Sequence, residues 1–201
     1  MKGRGGRWNH NIHYYPLIMA AVPHGCQAAL DVGCGEGMLA RQLAGRIPHV
    51  SAVDVDPASI ERARRQDPDR AIDWICGDFL ACPFEPGSFG AITSVAALHH
   101  MDPAAALEKT RVLLQPGGIL AVVGLARSRL PADLPWEAAA VITNLGYRLT
   151  RTYWQQPSPT VWPPPHTYAA IRQLAAHTLP GLQYRRHILW RYSLIWEKPG
   201  A

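Results

Sequence analysis

The chain has 201 residues, 48% hydrophobic and 17% charged, the size and composition of one globular domain with a full core. No apolar run reaches the roughly eighteen residues of a transmembrane helix. Cys26, Cys34, Cys76 and Cys82 are too scattered for a disulfide framework or a paired structural zinc site.

The net charge of +5 and pI near 9.2 invite a nucleic-acid reading. The arginines, however, gather at 62–65 and 185–191 without an accompanying DNA- or RNA-binding motif, and solvated helix and strand faces are the simpler reading. At the N-terminus Lys2, Arg4 and Arg7 precede polar residues and histidines instead of an apolar segment, so no secretory signal is expected. Reduced thiols and the absence of a signal suit a cytoplasmic protein. Residues 8–16, WNHNIHYYP, concentrate rings, imidazoles and amides ahead of the first strand.

Hydrophobic periodicity then alternates. AALDV (28–32) reads as a strand and MLARQLAGRI (38–47) as a helix. VSAVDV (50–55) is a second strand, followed by a helix over 57–66 with Pro57 in its first turn and Asp56 as N-cap. AIDWIC (71–76) and GAITSV (90–95) are strands three and four. A helix over 103–114 begins after Asp102 and stops at PGG, and GILAVVGL (118–125) is the fifth strand. Beyond it come a helix around 136–145, a proline-dense stretch at 155–165, a helix over 167–179, and an alternating C-terminus that suits an antiparallel hairpin. This order predicts an α/β fold: a mostly parallel seven-stranded sheet with helices on both faces.

LDVGCGEG (30–37) carries the strongest chemical signal. Gly33, Gly35 and Gly37 sit where a strand turns into a helix, leaving the backbone open to a ligand. The spacing is GxGxG, not the GxGxxG of dinucleotide sites. Asp31 precedes it, where a carboxylate suits an ammonium or sulfonium better than a pyrophosphate. The second strand ends at Asp54, placed to accept from two ribose hydroxyls, with apolar Val55 beside it for a purine face. The third strand leads into GDF (77–79), with Asp78 placed to accept from an exocyclic amine and Phe79 next to it.

LDVGCGEG, VDVDP, GDF, GSFGAITSVAALHHM and LLQPGGILAVV, in that order over about residues 28–125, resemble the class I S-adenosylmethionine-dependent methyltransferases, whose fold is Rossmann-like. The resemblance implies S-adenosylmethionine as cofactor. It implies that Asp31, Gly33, Cys34 and Gly35 hold the methionine moiety, Asp54 and Val55 the ribose side, and Asp78 and Phe79 the adenine, with the backbone near Ser94 and Val95 alongside. The chain then divides into a cap region (1–27), a cofactor-binding core (28–125) and a substrate-side insertion with the hairpin (126–201), all in one domain. No metal ligand set is expected.

Methyl transfer from a sulfonium is an in-line displacement that depends chiefly on alignment and exclusion of water. His99 and His100 follow the fourth strand and are the candidates for a general base. The NPPY-type sequence of amino-methylating nucleic-acid enzymes is absent there. Aromatic walls suit a flat or apolar small molecule. Tyr14 is expected against the cofactor, and His10, His13, Tyr15, Trp162 and His166 against the acceptor. A small aromatic or apolar metabolite is therefore the expected methyl acceptor, with no membrane partner. An RNA or protein methyltransferase, or a non-catalytic S-adenosylmethionine-binding protein, are the other readings.

Overall fold

A computed structural model describes residues 8–69, 71–154 and 162–200. The alternating pattern becomes one sheet of seven strands: β1 (Ala28–Val32), β2 (His49–Asp54), β3 (Ile72–Cys76), β4 (Phe89–Val95), β5 (Leu114–Gly124), β6 (Gln183–His187) and β7 (Arg191–Glu197). Their spatial order is β3-β2-β1-β4-β5-β7-β6. The first five are parallel, and β7 runs antiparallel between β5 and β6. Connections from β1 run outward to β2 and β3, then return to the opposite side at β4. That reversal opens a crevice at the carboxyl ends of β1 and β4.

Successive strand residues point to opposite faces, and each face carries its own core. Ala29, Ala91, Ala121 and Val123 meet α1 (Tyr15–Ala21), α2 (Met38–Ala44) and α3 (Pro57–Arg65) on one side. Leu30, Ile92, Leu120 and Val122 meet α4 (Pro103–Leu113) and α6 (Tyr168–Thr178) on the other. Small residues on the first face let three helices approach closely. The side chains of Asp56 and Asp102 cap α3 and α4 by accepting from the amides of Ala58 and Ser59, and of Ala104 and Ala105.

Two boundaries differ from the sequence reading. The PGG at 116–118 does not lie ahead of the fifth strand: β5 begins at Leu114 and carries the triplet as a bulge, where pairing jumps from Phe89–Leu114 to Ala91–Ile119. Helix α5 (Leu134–Thr150) extends past 145 through Gly146, because Asn144 and Tyr147 are held by the N-terminal segment. Most of the proline-dense stretch, 155–161, lies outside the described residues.

Candidate active site

The glycine turn after β1 is braced from three directions. Gly33 and Cys34 donate backbone N–H groups to the Val53 carbonyl at 2.8 and 3.2 Å. The Gly35 N–H donates to one oxygen of Asp54 at 2.8 Å, while the Asp56 N–H donates to the other at 2.9 Å. Buried Glu36 forms an ion pair with Arg62 of α3 at 2.6 Å. Gly33 has φ +70°, and a Cβ there would lie 2.1 Å from the Ala97 Cβ, so the turn closes only with glycine.

A narrow cleft opens above this turn. Asp31, Gly33 and Cys34 line it from the β1 end, Val95 from the β4 end, Leu39 from α2, and Asn11 and Tyr15 from the N-terminal segment. Asp31 is buried and accepts from the Thr93 hydroxyl at 2.9 Å. Burial pushes its carboxyl up to about 7 against that hydrogen bond, and the neighbouring Asp54 adds to the rise. Burial also pushes up the Tyr15 phenol, with Asp31 adding to it, and the Cys34 thiol. No lysine or arginine among the described residues forms an ion pair with this buried carboxylate beside the glycine backbone.

Asp78 stands exposed past the end of β3, one strand from Asp54, and the Gly77 N–H donates to the Asp54 carbonyl at 2.9 Å. Val55 presents 66% of its surface beside Asp54, a free apolar face next to a polar strand end. These positions extend the cleft as one row across the ends of β1, β2 and β3. A broader concavity between α4 and α6 is lined by Ala104, Glu108, Arg111 and His177. It is shallow surface without a buried polar group, and lies away from the strand ends.

This order of strands, with the glycine turn at the switch point and acids at three successive strand ends, matches a known family. Residues 30–122 match the family described as "Methyltransferase domain". The "Uncharacterized methyltransferase Rv0089" of Mycobacterium tuberculosis is 39% identical over 193 residues, 96% of this chain and 98% of the relative. The chain belongs to the class I S-adenosylmethionine-dependent methyltransferases. The "2-phytyl-1,4-naphtoquinone methyltransferase" of Thermosynechococcus vestitus is 36% identical over 165 residues, 77% of this chain and 73% of the relative. An S-adenosylmethionine-dependent methyltransferase of Mesorhizobium loti shares the fold with a TM-score of 0.64 at 17% identity, covering 92% of this chain and 97% of that one.

The methyltransferase separates the N-terminal rings that the sequence grouped together. Tyr15 reaches the cleft. Tyr14 does not: its hydroxyl donates to the Ile188 carbonyl and its ring packs on His13 and His187. Burial is the main reason its phenol is pushed up to about 12. His13 lies between Tyr14 and Tyr147, and His10 bonds Asn144 at 2.8 Å and meets Trp190, so both imidazoles are held in packing. Burial leads the lowering of both their pKa values. Trp162 is 68% exposed, and the His166 carbonyl accepts from the Arg127 N–H; neither is brought to the cleft. Phe79 is turned into the core, its ring beside Phe84 and Lys109.

His99 and His100 sit in a 3-10 turn after β4 with ring centroids 4.1 Å apart. His100 feels the Asp54 carboxylate, whereas His99 lies on the side of Arg191. Burial first, then His100 and Arg191, lowers His99 to about 4, and its buried Nδ1 has no hydrogen-bond partner. Such an imidazole is neutral near pH 7 and can accept a hydrogen bond, but it holds a proton poorly.

Asn11 and Arg191, which the sequence marked only as members of the 8–16 and 185–191 stretches, meet at the cleft wall. Arg191 is buried, and its guanidinium donates to Asn11 Oδ1 at 2.7 and 3.2 Å and to the carbonyls of Leu189 and Trp190. No carboxylate among the described residues pairs with it, and burial lowers it to about 10. Alternation puts Arg191 with Ser193 and Glu197, opposite Tyr192, Leu194 and Trp196, so the sequence carried no signal for its burial.

Proposed function

We propose that this methyltransferase transfers a methyl group to a small aromatic or apolar acceptor held beside the end of β4. The observation that carries this reading is the composition of the wall around Asn11. It carries the Tyr15 ring at the cleft and leads through Asn11 to buried Arg191, which pairs with no carboxylate among the described residues. Such a wall offers a flat molecule a ring face and a polar edge. The quinone named in the Thermosynechococcus relative is an acceptor of this chemical type.

S-adenosylmethionine supplies the activated methyl on a sulfonium sulfur. In this proposal the ionised Asp31 and the backbone of the glycine turn hold the ammonium end of that cofactor. Asp54 accepts from the ribose with the lone pairs that Gly35 and Asp56 leave free. Asp78 takes the adenine edge and Val55 its face. His99 accepts a hydrogen bond from the acceptor and orients it. Several arginines of the two clusters have partners within the fold: Arg62 with Glu36, Arg64 with the Trp74 carbonyl, Arg186 with Asp133, and Arg191 with Asn11.

The test is release of S-adenosylhomocysteine across a panel of phenols, hydroquinones, bulk RNA and unfolded protein. Turnover is expected with the first two classes alone. Methyl incorporation confined to RNA or protein would overturn the proposal, as would cofactor binding without turnover on any class.

A further inference from the structure

Helix α5 is amphipathic with its faces reversed. Its inward residues are polar or small: Glu137 accepts from Trp190 Nε1 at 2.8 Å, Asn144 bonds His10, Tyr147 lies on Trp8, and Ala140 is buried. Its outward residues are apolar. Leu134, Val141, Ile142, Leu145 and Leu149 fall at helical spacing on one side and are 55–80% exposed. Of eleven exposed large apolar side chains among the described residues, nine lie between 130 and 162, and five of these form the α5 stripe. A contiguous apolar face of this kind marks a surface that something covers.

The charges around it select the partner. Exposed Arg127 and Arg129 lie before the helix, and exposed Arg148 and Arg151 lie at its far end. Of the two acids of this region, Glu137 is spent inward on Ser128 and Trp190, and Asp133 on Arg186, with Arg129 also beside it. Pairing of α5 with the same helix of a second copy, parallel or antiparallel, would set arginines against arginines with no acid to relieve them. An anionic lipid surface answers both ends and the apolar stripe between them. Exposed Trp162 supplies a side chain of the type that settles at a lipid–water boundary.

We propose that the outer face of α5 docks the methyltransferase on an anionic membrane surface, lying in the interface without crossing it. No helix among the described residues is long and apolar enough to span a bilayer. The inner face of the same helix packs on the N-terminal ring cluster, through Asn144 on His10 and Tyr147 on Trp8. The proposal does not depend on which acceptor is used, and its test reads binding alone.

The test is flotation of the full chain with vesicles of phosphatidylcholine, with and without phosphatidylglycerol, alongside light scattering to read its mass. Binding to the anionic vesicles, weakened by salt and at least about tenfold weaker on neutral ones, is the expected result. Leu145→Glu with Leu149→Glu should reduce partitioning by roughly a hundredfold at unchanged melting temperature. Arg148→Gln with Arg151→Gln should reduce it by roughly twentyfold on anionic vesicles only. Wild-type protein that stays off anionic vesicles would overturn the proposal. So would binding that either double variant leaves intact, or a stable dimer that the leucine variant dissociates.

Discussion

Replacing Asp31 by Asn tests the electrostatic reading of the cleft most directly. In the absence of a cation, burial raises this carboxyl from 3.8 to about 7. The folded chain therefore binds a proton between those values that the unfolded chain does not. Stability contributed by the protonated form is complete below about pH 4, declines as pH rises, and is gone above about pH 7, where a bare carboxylate is buried. The difference corresponds to roughly 4 kcal/mol for a group held this way. Asn keeps an oxygen for the Thr93 hydroxyl and removes the charge. At pH 8 the cofactor-free variant should be about 2–4 kcal/mol more stable than wild type, a rise of roughly 5–15 °C in melting temperature for a chain of this size. Its stability should also lose the decline between pH 4 and 7. Its affinity for S-adenosylmethionine should fall at least about tenfold, since the ammonium loses its counter-charge. Urea titrations at pH 5 and pH 8, with calorimetry of cofactor binding, measure all three. A variant less stable than wild type at pH 8 would refute the argument, as would a wild type equally stable at both pH values.

Gly33→Ala should cost about 2–4 kcal/mol in urea unfolding, from the positive φ and the 2.1 Å approach to Ala97, and adding Ala97→Gly should recover the steric share. A fully stable Gly33→Ala protein would contradict the packing of the turn. Deletion of residues 1–15 should lower melting temperature and cofactor affinity together, because it removes buried Trp8 and Tyr14 along with Asn11 and Tyr15 at the cleft. A truncated protein that melts like the full chain would show that the segment only covers the site.

The alternation of strands and helices, the capping acids and the glycine turn are local signals, written within a few residues of where they act. They sufficed to place Asp31, Asp54 and Asp78 at successive strand ends, since a parallel sheet leaves no other place for its strand–helix turns. What depended on contacts across the chain was invisible in one dimension. Tyr14 and Tyr15 are adjacent, yet one is held by Ile188 and the other faces Asp31. Phe79 follows Asp78 but turns into the core, because Phe84 and Lys109 fill the space around it. Arg191 meets Asn11 across 180 residues of sequence. Helix α5 shows a regular apolar stripe in the sequence, and such a stripe normally faces a core. Only the packed structure shows that its polar side is the one buried, because Glu137, Asn144 and Tyr147 find their partners there. Periodicity gives a helix two faces; the direction each one takes is decided by the partners that the rest of the fold brings to it.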